Sequence, residues 1–368
     1  MDGADRLGKS HAGPYNRARY SIRLDALRWA AYAIFMGHFT TPFGIIEDEM
    51  RILFVTANRI GDAVLSTGLL SHLIARHPNA RVTVAAGPAA APLFTDLPGL
   101  ERLIVLHKRA LSRHWLSLWL ACVTRKWDIV LDLRRSLLGW TLFADERLVA
   151  SKSTTAEHRV QQLGATLGLA DNPPAPTVWT SAAAEAEAQT LIPDGAATIA
   201  VAPAANWPGK QWRPEHFAAL IDRLTGPGGV LTGARVAIFA AGHERQQIAA
   251  LLDAIPVARR IDLVGKTSLP TAITCLRQCA LFIGNDSGLM HLAAASGVPT
   301  LGLFGPSRVE HYGPWGPNTA SVRTAESYDE LVGAPGYDHR TTGTLMDGLS
   351  VTAAEESANE LWRRMKSL

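Results

Sequence analysis

Short apolar runs that do not alternate with polar residues constrain this chain more than any other feature. RILFV from Arg51, RVTVAAG from Arg81, RLIVL from Arg102 and DIVLDL from Asp128 are followed later by TIAVAP, ARVAIFAAG, RIDLVG, ALFIG and TLGLFG. Each is long enough for a strand and too uniformly apolar to keep one face in water. Both faces must therefore be covered, as in a parallel sheet. Between the runs, apolar residues recur at helical spacing. Leu65, Leu69, Leu73 and Ile74 share a stripe in DAVLSTGLLSHLIARH. Phe217, Leu220, Ile221 and Leu224 do so in RPEHFAALIDRL, where Pro214 suits the first helical turn. Alternating strands and helices predict an α/β chain. At roughly 100–200 residues per domain, 368 residues make two domains. The proline-rich, non-periodic stretch DNPPAPTVWT at 171–180 reads as the linker. The expected architecture is two doubly wound, Rossmann-like domains facing a cleft. They span 50–175 and 176–350, with an N-terminal extension over 1–49 and a closing helix over 351–368.

Ligands of doubly wound sheets sit beyond the carboxyl ends of the strands. Each strand-to-helix turn is therefore a candidate site. In TANRIGDAVLSTG, Gly61 allows a tight turn and Asp62 stands at a helix start, either as an N-cap or as a carboxylate available for general-base work. In PAANWPGKQWRPEHF, Lys210 precedes a helix N-terminus. It is either a surface lysine or half of an anion site in which ammonium and free backbone N–H groups act together. In LFIGNDSGLMHLAAASGVPTLGLFG, the polar joint Asn285-Asp286-Ser287-Gly288 opens a helix of small apolar residues. Asp286 or Ser287 can cap that helix. Gly288 admits close approach of a ligand to the backbone, His291 lies one turn in, and Gly297 closes the helix. Capping alone leaves Gly288 and His291 unexplained. In AAGHERQQIA, Glu244 is either a structural acid or an acceptor for ribose hydroxyls.

Composition narrows the partners. A chain with 47% hydrophobic and 19% charged residues is globular rather than disordered. A net charge of +3 is too small to argue for nucleic acid. Its distribution is uneven: Arg102, Lys108, Arg109, Arg113, Arg125, Lys126, Arg134 and Arg135 face few acids, which gives either a solvated helix face or a basic surface for an anionic partner. Cys122, Cys275 and Cys279 form neither a disulfide framework nor a zinc pattern, and they read as core thiols of a protein in a reducing compartment. In the extension, the apolar run WAAYAIFMGHF is too short to span a bilayer, which takes about 20 residues, and it overlaps the longer segment RYSIRLDALRWAAYAIF. That segment reads as an interfacial amphipathic helix, a helix packed on the domain, or a disordered extension.

Taken together, RILFVTANRIGDAVLSTGLL, KQWRPEHFAAL and LFIGNDSGLMHLAAASGVPTLGLFGPS resemble the ADP-heptose:lipopolysaccharide heptosyltransferase family, from about Met50 to the last helix. The resemblance implies an inverting glycosyltransferase of GT-B fold. It implies Asp62 as general base and Lys210 as the lysine that neutralises the donor diphosphate. Asp286, Ser287, Gly288 and His291 match the donor-binding block, with Glu244 near the donor nucleoside. Arg134 and Arg135 are candidates for acceptor contacts. No cofactor is implied, because ADP-heptose is a substrate, and no Asp-x-Asp motif stands in a loop to call for a metal. The implied acceptor is an anionic glycolipid, and the implied location is the cytoplasm, with peripheral contact to the inner membrane. Residues 306–344 depart from the family pattern and read as an individual loop region that can remodel the pocket. Competing readings are a GT-B enzyme with another nucleotide sugar, a nucleotide-sugar epimerase, and a scaffold that keeps the fold. A nicotinamide enzyme would need GxGxxG after the first strand, where TANRIGDA stands.

Overall fold

The computed structural model describes residues 49–108, 110–151, 156–338 and 341–367, so the expectations for residues 1–48 lie outside the described part. From Glu49 onward the chain forms one compact unit. Its first sheet holds β1 (Arg51–Val55), β2 (Arg81–Ala86), β3 (Leu100–Val105), β4 (Trp127–Asp132) and β5 (Ala144–Val149), in the order β3-β2-β1-β4-β5. The second holds β6 (Thr198–Ala202), β7 (Arg235–Ile238), β8 (Arg260–Asp262), β9 (Leu281–Asn285), β10 (Thr300–Phe304) and β11 (Thr319–Arg323), in the order β11-β10-β9-β6-β7-β8. Every pairing is parallel.

The covered faces have the predicted cause. Ile52, Leu53, Phe54 and Val55 are all fully buried, because helices lie on both sides of β1. One side is covered by α1 (Ile60–Arg76). The other is covered by α2 (Arg113–Cys122) and α3 (Leu138–Thr141). Connections running from β1 toward β3 and from β3 toward β5 travel in opposite directions along the sheet. Right-handed crossovers then place their helices on opposite faces. Next come α4 (Arg159–Gly164) and α5 (Ala182–Leu191), the latter capped by the Ser181 hydroxyl. In α6 (Pro214–Thr225), Pro214 occupies the first turn, and Phe217, Leu220, Ile221 and Leu224 form the buried stripe. Each such side chain contributes about 1.5–3 kcal/mol by burial. Beyond it lie α7 (Leu269–Arg277), α8 (Gly288–Ser296) and α9 (Val351–Lys366). Gly297 ends α8 with a φ of 86°, the left-handed conformation expected of a closing glycine. The closing helix α9 packs on α6 and on β10 and β11.

Two strands had no counterpart among the apolar runs. β5 carries Asp145, Glu146 and Arg147, and β11 is TASVR; both are edge strands. An edge strand covered on only part of its surface needs no uniform apolar run. β11 also lies inside the stretch read as a loop region, which is therefore partly sheet.

All three cysteines are free and buried. Burial pushes the Cys122 thiol up to about 11 and Cys275 up to about 12, and it raises Cys279 further. Thiolate is the reactive form. The native protein is therefore expected to leave a colourimetric thiol reagent nearly unconsumed, with three equivalents reacting only on unfolding. Rapid reaction of a native cysteine would contradict the packing around it.

Candidate active site

Strand order reverses between β1 and β4 in the first sheet and between β6 and β9 in the second. These are the switch points where a crevice opens beyond the strand ends. A cleft of about 730 Å³ is lined by the segments that leave β1, β6, β7 and β9. It brings together Asp62, Lys210, Glu244, Asp286, Ser287, Gly288 and His291.

The two sheets meet here through a pair of helix starts. A methyl group on Gly288 would lie 2.9 Å from Cβ of Ile60, and one on Gly61 would lie 2.9 Å from Cδ2 of His291. Both glycines therefore serve close helix–helix approach. Gly61 sits inside the first turn of α1 rather than in a loop turn, and the space beside Gly288 holds Ile60 rather than a ligand. Asp62 is the third residue of α1, whose N-cap is Arg59. It is not the cap, and among the described residues no hydrogen bond or ion pair engages its carboxylate. The positive end of the helix favours charge at this position.

Lys210 ends a short turn, Pro208–Lys210. Its Nζ reaches past its own following helix to Oδ2 of Asp286, 2.5 Å away. The ammonium is thus combined with the start of α8 rather than with that of α6. Asn285, fully buried, explains the reach. Its amide donates to the Pro203 carbonyl at 2.7 Å, and its Oδ1 accepts from the Trp212 N–H at 3.2 Å. Both ends of the lysine loop are therefore pinned to the end of β9. The Trp212 indole in turn donates to the Leu349 carbonyl, and the Leu345 N–H donates to the Gly209 carbonyl. Sequence spacing marked Asn285 as unusual but gave it no role. A polar residue inside an otherwise apolar strand was the available signal.

The start of α8 holds two unsatisfied groups. Ser287 occupies the N-cap position, yet its side chain makes no capping bond. Its Oγ and Nδ1 of His291 are buried without a hydrogen-bond partner. Leaving such groups unpaired costs about 1–3 kcal/mol each, so their natural use is to bind something. Nε2 of His291 lies 3.9 Å from Oδ1 of Asp286, beyond hydrogen-bond reach. Burial, opposed by the charge of Asp286, pushes His291 down to about 4, so the ring is neutral at pH 7.

That depression has a testable consequence. The unfolded chain carries an ordinary histidine near 6.5 and takes up the proton first as the pH falls. Stability is therefore complete above that value and is lost from about pH 6.5 down to about pH 4, by up to about 3 kcal/mol. His158, also depressed by burial, acts in the same direction. Denaturant midpoints at pH 7 and pH 5 are expected to differ less in His291→Gln than in wild type. Equal differences would contradict the burial account.

Glu244 lines the cleft, but its Oε2 accepts from the Ala241 N–H at 2.7 Å. It braces its own turn, and its second oxygen is the one left to face a ligand. Arg134 and Arg135 do not line this cleft. They lie in the turn after β4, held by the buried Asp132, which accepts from the N–H groups of Arg134 and Ser136 and from the Ser136 hydroxyl. That turn stands beside the one leading to Asp62, since Val55 pairs with Asp132 and the Leu133 N–H donates to the Val55 carbonyl. Asn206, from the lysine loop, and Tyr312, the last residue of the short helix Val309–Tyr312, also line the cleft.

Two parallel α/β sheets facing a cleft, with a lysine and a helix start on one side and a helix-borne carboxylate on the other, define a GT-B glycosyltransferase. The family model described as Glycosyltransferase family 9 (heptosyltransferase) matches residues 111–333, and the chain belongs to that family. It is 25% identical over 317 residues to the lipooligosaccharide heptosyltransferase 2 of Haemophilus influenzae, covering 75% of this chain and 89% of the relative. It is likewise 25% identical over 322 residues to the lipopolysaccharide heptosyltransferase 2 of Salmonella typhimurium, covering 77% and 90%. The fold matches the E. coli ADP-heptose lps heptosyltransferase II with a TM-score of 0.67 at 22% identity, covering 86% of this chain and all of that one.

Proposed function

We propose that this chain moves a heptose from ADP-heptose to a lipopolysaccharide core or a related anionic glycolipid, inverting the anomeric centre. The family and the names of its relatives support the reaction class. The observation that carries the reading is the convergence in one cleft of Asp62 from the first sheet with Lys210 and the start of α8 from the second.

The acceptor hydroxyl attacks the anomeric carbon and gives its proton to the Asp62 carboxylate. The bond from that carbon to the diphosphate oxygen breaks, and ADP departs with both electrons. Lys210, the Ser287 hydroxyl and the α8 N–H groups face the charge that grows on the diphosphate. An arriving diphosphate competes with Asp286 for Lys210. Nδ1 of His291 and Oγ of Ser287 gain partners only when the donor is bound. Glu244 takes the nucleoside end, and Arg134 and Arg135 meet the anionic acceptor near Asp62. Lys210 and the positive end of α8 carry the diphosphate charge without calling for a metal. The location proposed with this reading is the cytoplasm, on the inner face of the membrane, and three buried free thiols agree with a reducing compartment. Among the described residues no helix is long and apolar enough to cross a membrane.

Purified protein with ADP-heptose and a heptose-deficient lipopolysaccharide is expected to release ADP only when acceptor is present, and to form a glycosidic bond of inverted configuration by NMR. Conversion of the donor without acceptor would instead mark an epimerase. Absence of any turnover by folded protein would favour the scaffold reading.

A further inference from the structure

Much of the exposed apolar surface falls in one short part of the first sheet's helical layer. Leu111 is 92% exposed and Leu137 78%, with Leu116, Leu120 and Trp140 also exposed. Leu116 and Leu120 are four residues apart on α2, so they share its solvent face. The opposite face of α2 already has its core, formed by Leu118 and Cys122 packed with Leu138 and Leu142. α2 is thus apolar on both sides, where a surface helix needs only one. Leu111 is displayed at a cost, because it and Ser112 both hold left-handed backbone, with φ of 52° and 56°. The guanidinium of Arg134 lies 6.0 Å from the ring of Trp115, which joins α2 to the turn carrying Leu137.

Charge differs between the two ends of the same sheet. At the amino ends of its strands the signs are mixed: Glu101, Asp128, Asp145 and Glu146 stand among Arg51, Arg81 and Arg102, with Arg125 paired to Glu101 and Lys126 to Asp145. At the carboxyl ends stand Lys108, Arg113, Arg134 and Arg135, all exposed, and no carboxylate pairs with any of them among the described residues. Of the two acids at that end, Asp132 is buried and fully used by its own turn, and Asp62 faces the cleft. Exposed leucines and a tryptophan set among unpaired cations match an anionic lipid surface, where the apolar groups enter the acyl boundary and the cations meet the headgroups.

We infer that Leu111, Leu116, Leu120, Leu137 and Trp140, with Lys108, Arg113, Arg134 and Arg135, form a membrane-docking face on the first sheet's helical layer, running from the cations at the carboxyl edge along the outer side of α2. The face adjoins the turn that carries Asp62, so docking presents a lipid-anchored acceptor to the base. In that respect it rests on the transferase reading, although lipid attachment itself does not.

Full-length protein is sedimented with vesicles of phosphatidylethanolamine and phosphatidylglycerol, and separately with phosphatidylcholine alone. Wild type is expected to partition onto the anionic vesicles and to be released by salt. Leu116→Ser/Leu120→Ser/Leu137→Ser is expected to lose partitioning at least about tenfold. Lys108→Glu/Arg113→Glu is expected to lose roughly fivefold or more per cation. ADP affinity by calorimetry should be unchanged in both variants, which separates a lost surface from a lost fold. Wild type that ignores anionic vesicles overturns the inference. So do variants that bind as wild type does, since attachment would then reside in another part of the chain. Failure of ADP to bind, with the vesicle pattern intact, would sink the transferase reading and leave the docking face standing.

Discussion

Asp62→Asn is expected to lower kcat about 10²–10⁴-fold while leaving ADP affinity within about twofold of wild type. The amide keeps the size of the carboxylate and removes its ability to take a proton. Asp62 lies in the first turn of α1 with no hydrogen bond or ion pair among the described residues, so its removal breaks no structural link. Its charge is favourable to the helix start by about 0.3–1 kcal/mol, and that is the whole expected stability cost. A capping role would give the reverse pattern, a stability loss with turnover kept. Steady-state kinetics with a saturating donor, beside a denaturant melt, distinguishes the two. Full activity in Asp62→Asn would require another base in the cleft.

Lys210→Ala is expected to cost about 10²–10³-fold in kcat/KM. Its effect on ADP affinity separates two roles. If Lys210 binds the diphosphate before and during bond breaking, KM for the donor rises as well. If it acts only on the charge developing at departure, kcat alone falls. The pair it forms in this structure predicts the mixed case, because the donor must draw Lys210 away from Asp286. Asp286 then loses its partner, and a buried carboxylate without one is costly. Lys210→Ala is therefore also expected to lower stability, and Lys210→Ala/Asp286→Asn to recover part of it. A double variant no more stable than Lys210→Ala would show that the pair has little energetic weight.

Much of this was legible in the chain because parallel sheets write their burial directly into sequence. The runs around Ile52, Val84, Val130, Val201, Val236, Ile283 and Leu303 are buried on both faces and contain almost nothing polar. Two buried polar residues that end strands proved to be staples, Asn285 for the lysine loop and Asp132 for the turn after β4. The turns after these strands were legible as sites because polar residues and glycines there had no packing use in a lone element. What could not be read was pairing across the cleft. Nothing near Lys210 in sequence announces that it reaches Asp286 rather than the start of its own helix. Gly61 and Gly288 looked like loop and ligand glycines, since the contact that needs them joins helices more than 200 residues apart. Ser287 looked like a cap by type and position, and only geometry shows its hydroxyl unbound. Arg134 and Arg135 sit at the right end of the right strand but do not line the cleft; they stand in the turn beside the one leading to Asp62. β5 and β11 escaped because edge strands tolerate charge.

The most direct test of the diphosphate cradle is calorimetric titration of ADP, and then of adenosine, into the wild-type protein. With Lys210 and the α8 start as the main binding groups, ADP is expected to bind at least about 10²-fold more tightly than adenosine, a difference of about 2.7 kcal/mol carried by the phosphates. Equal affinities for the two, or no ADP binding by folded protein, would contradict it.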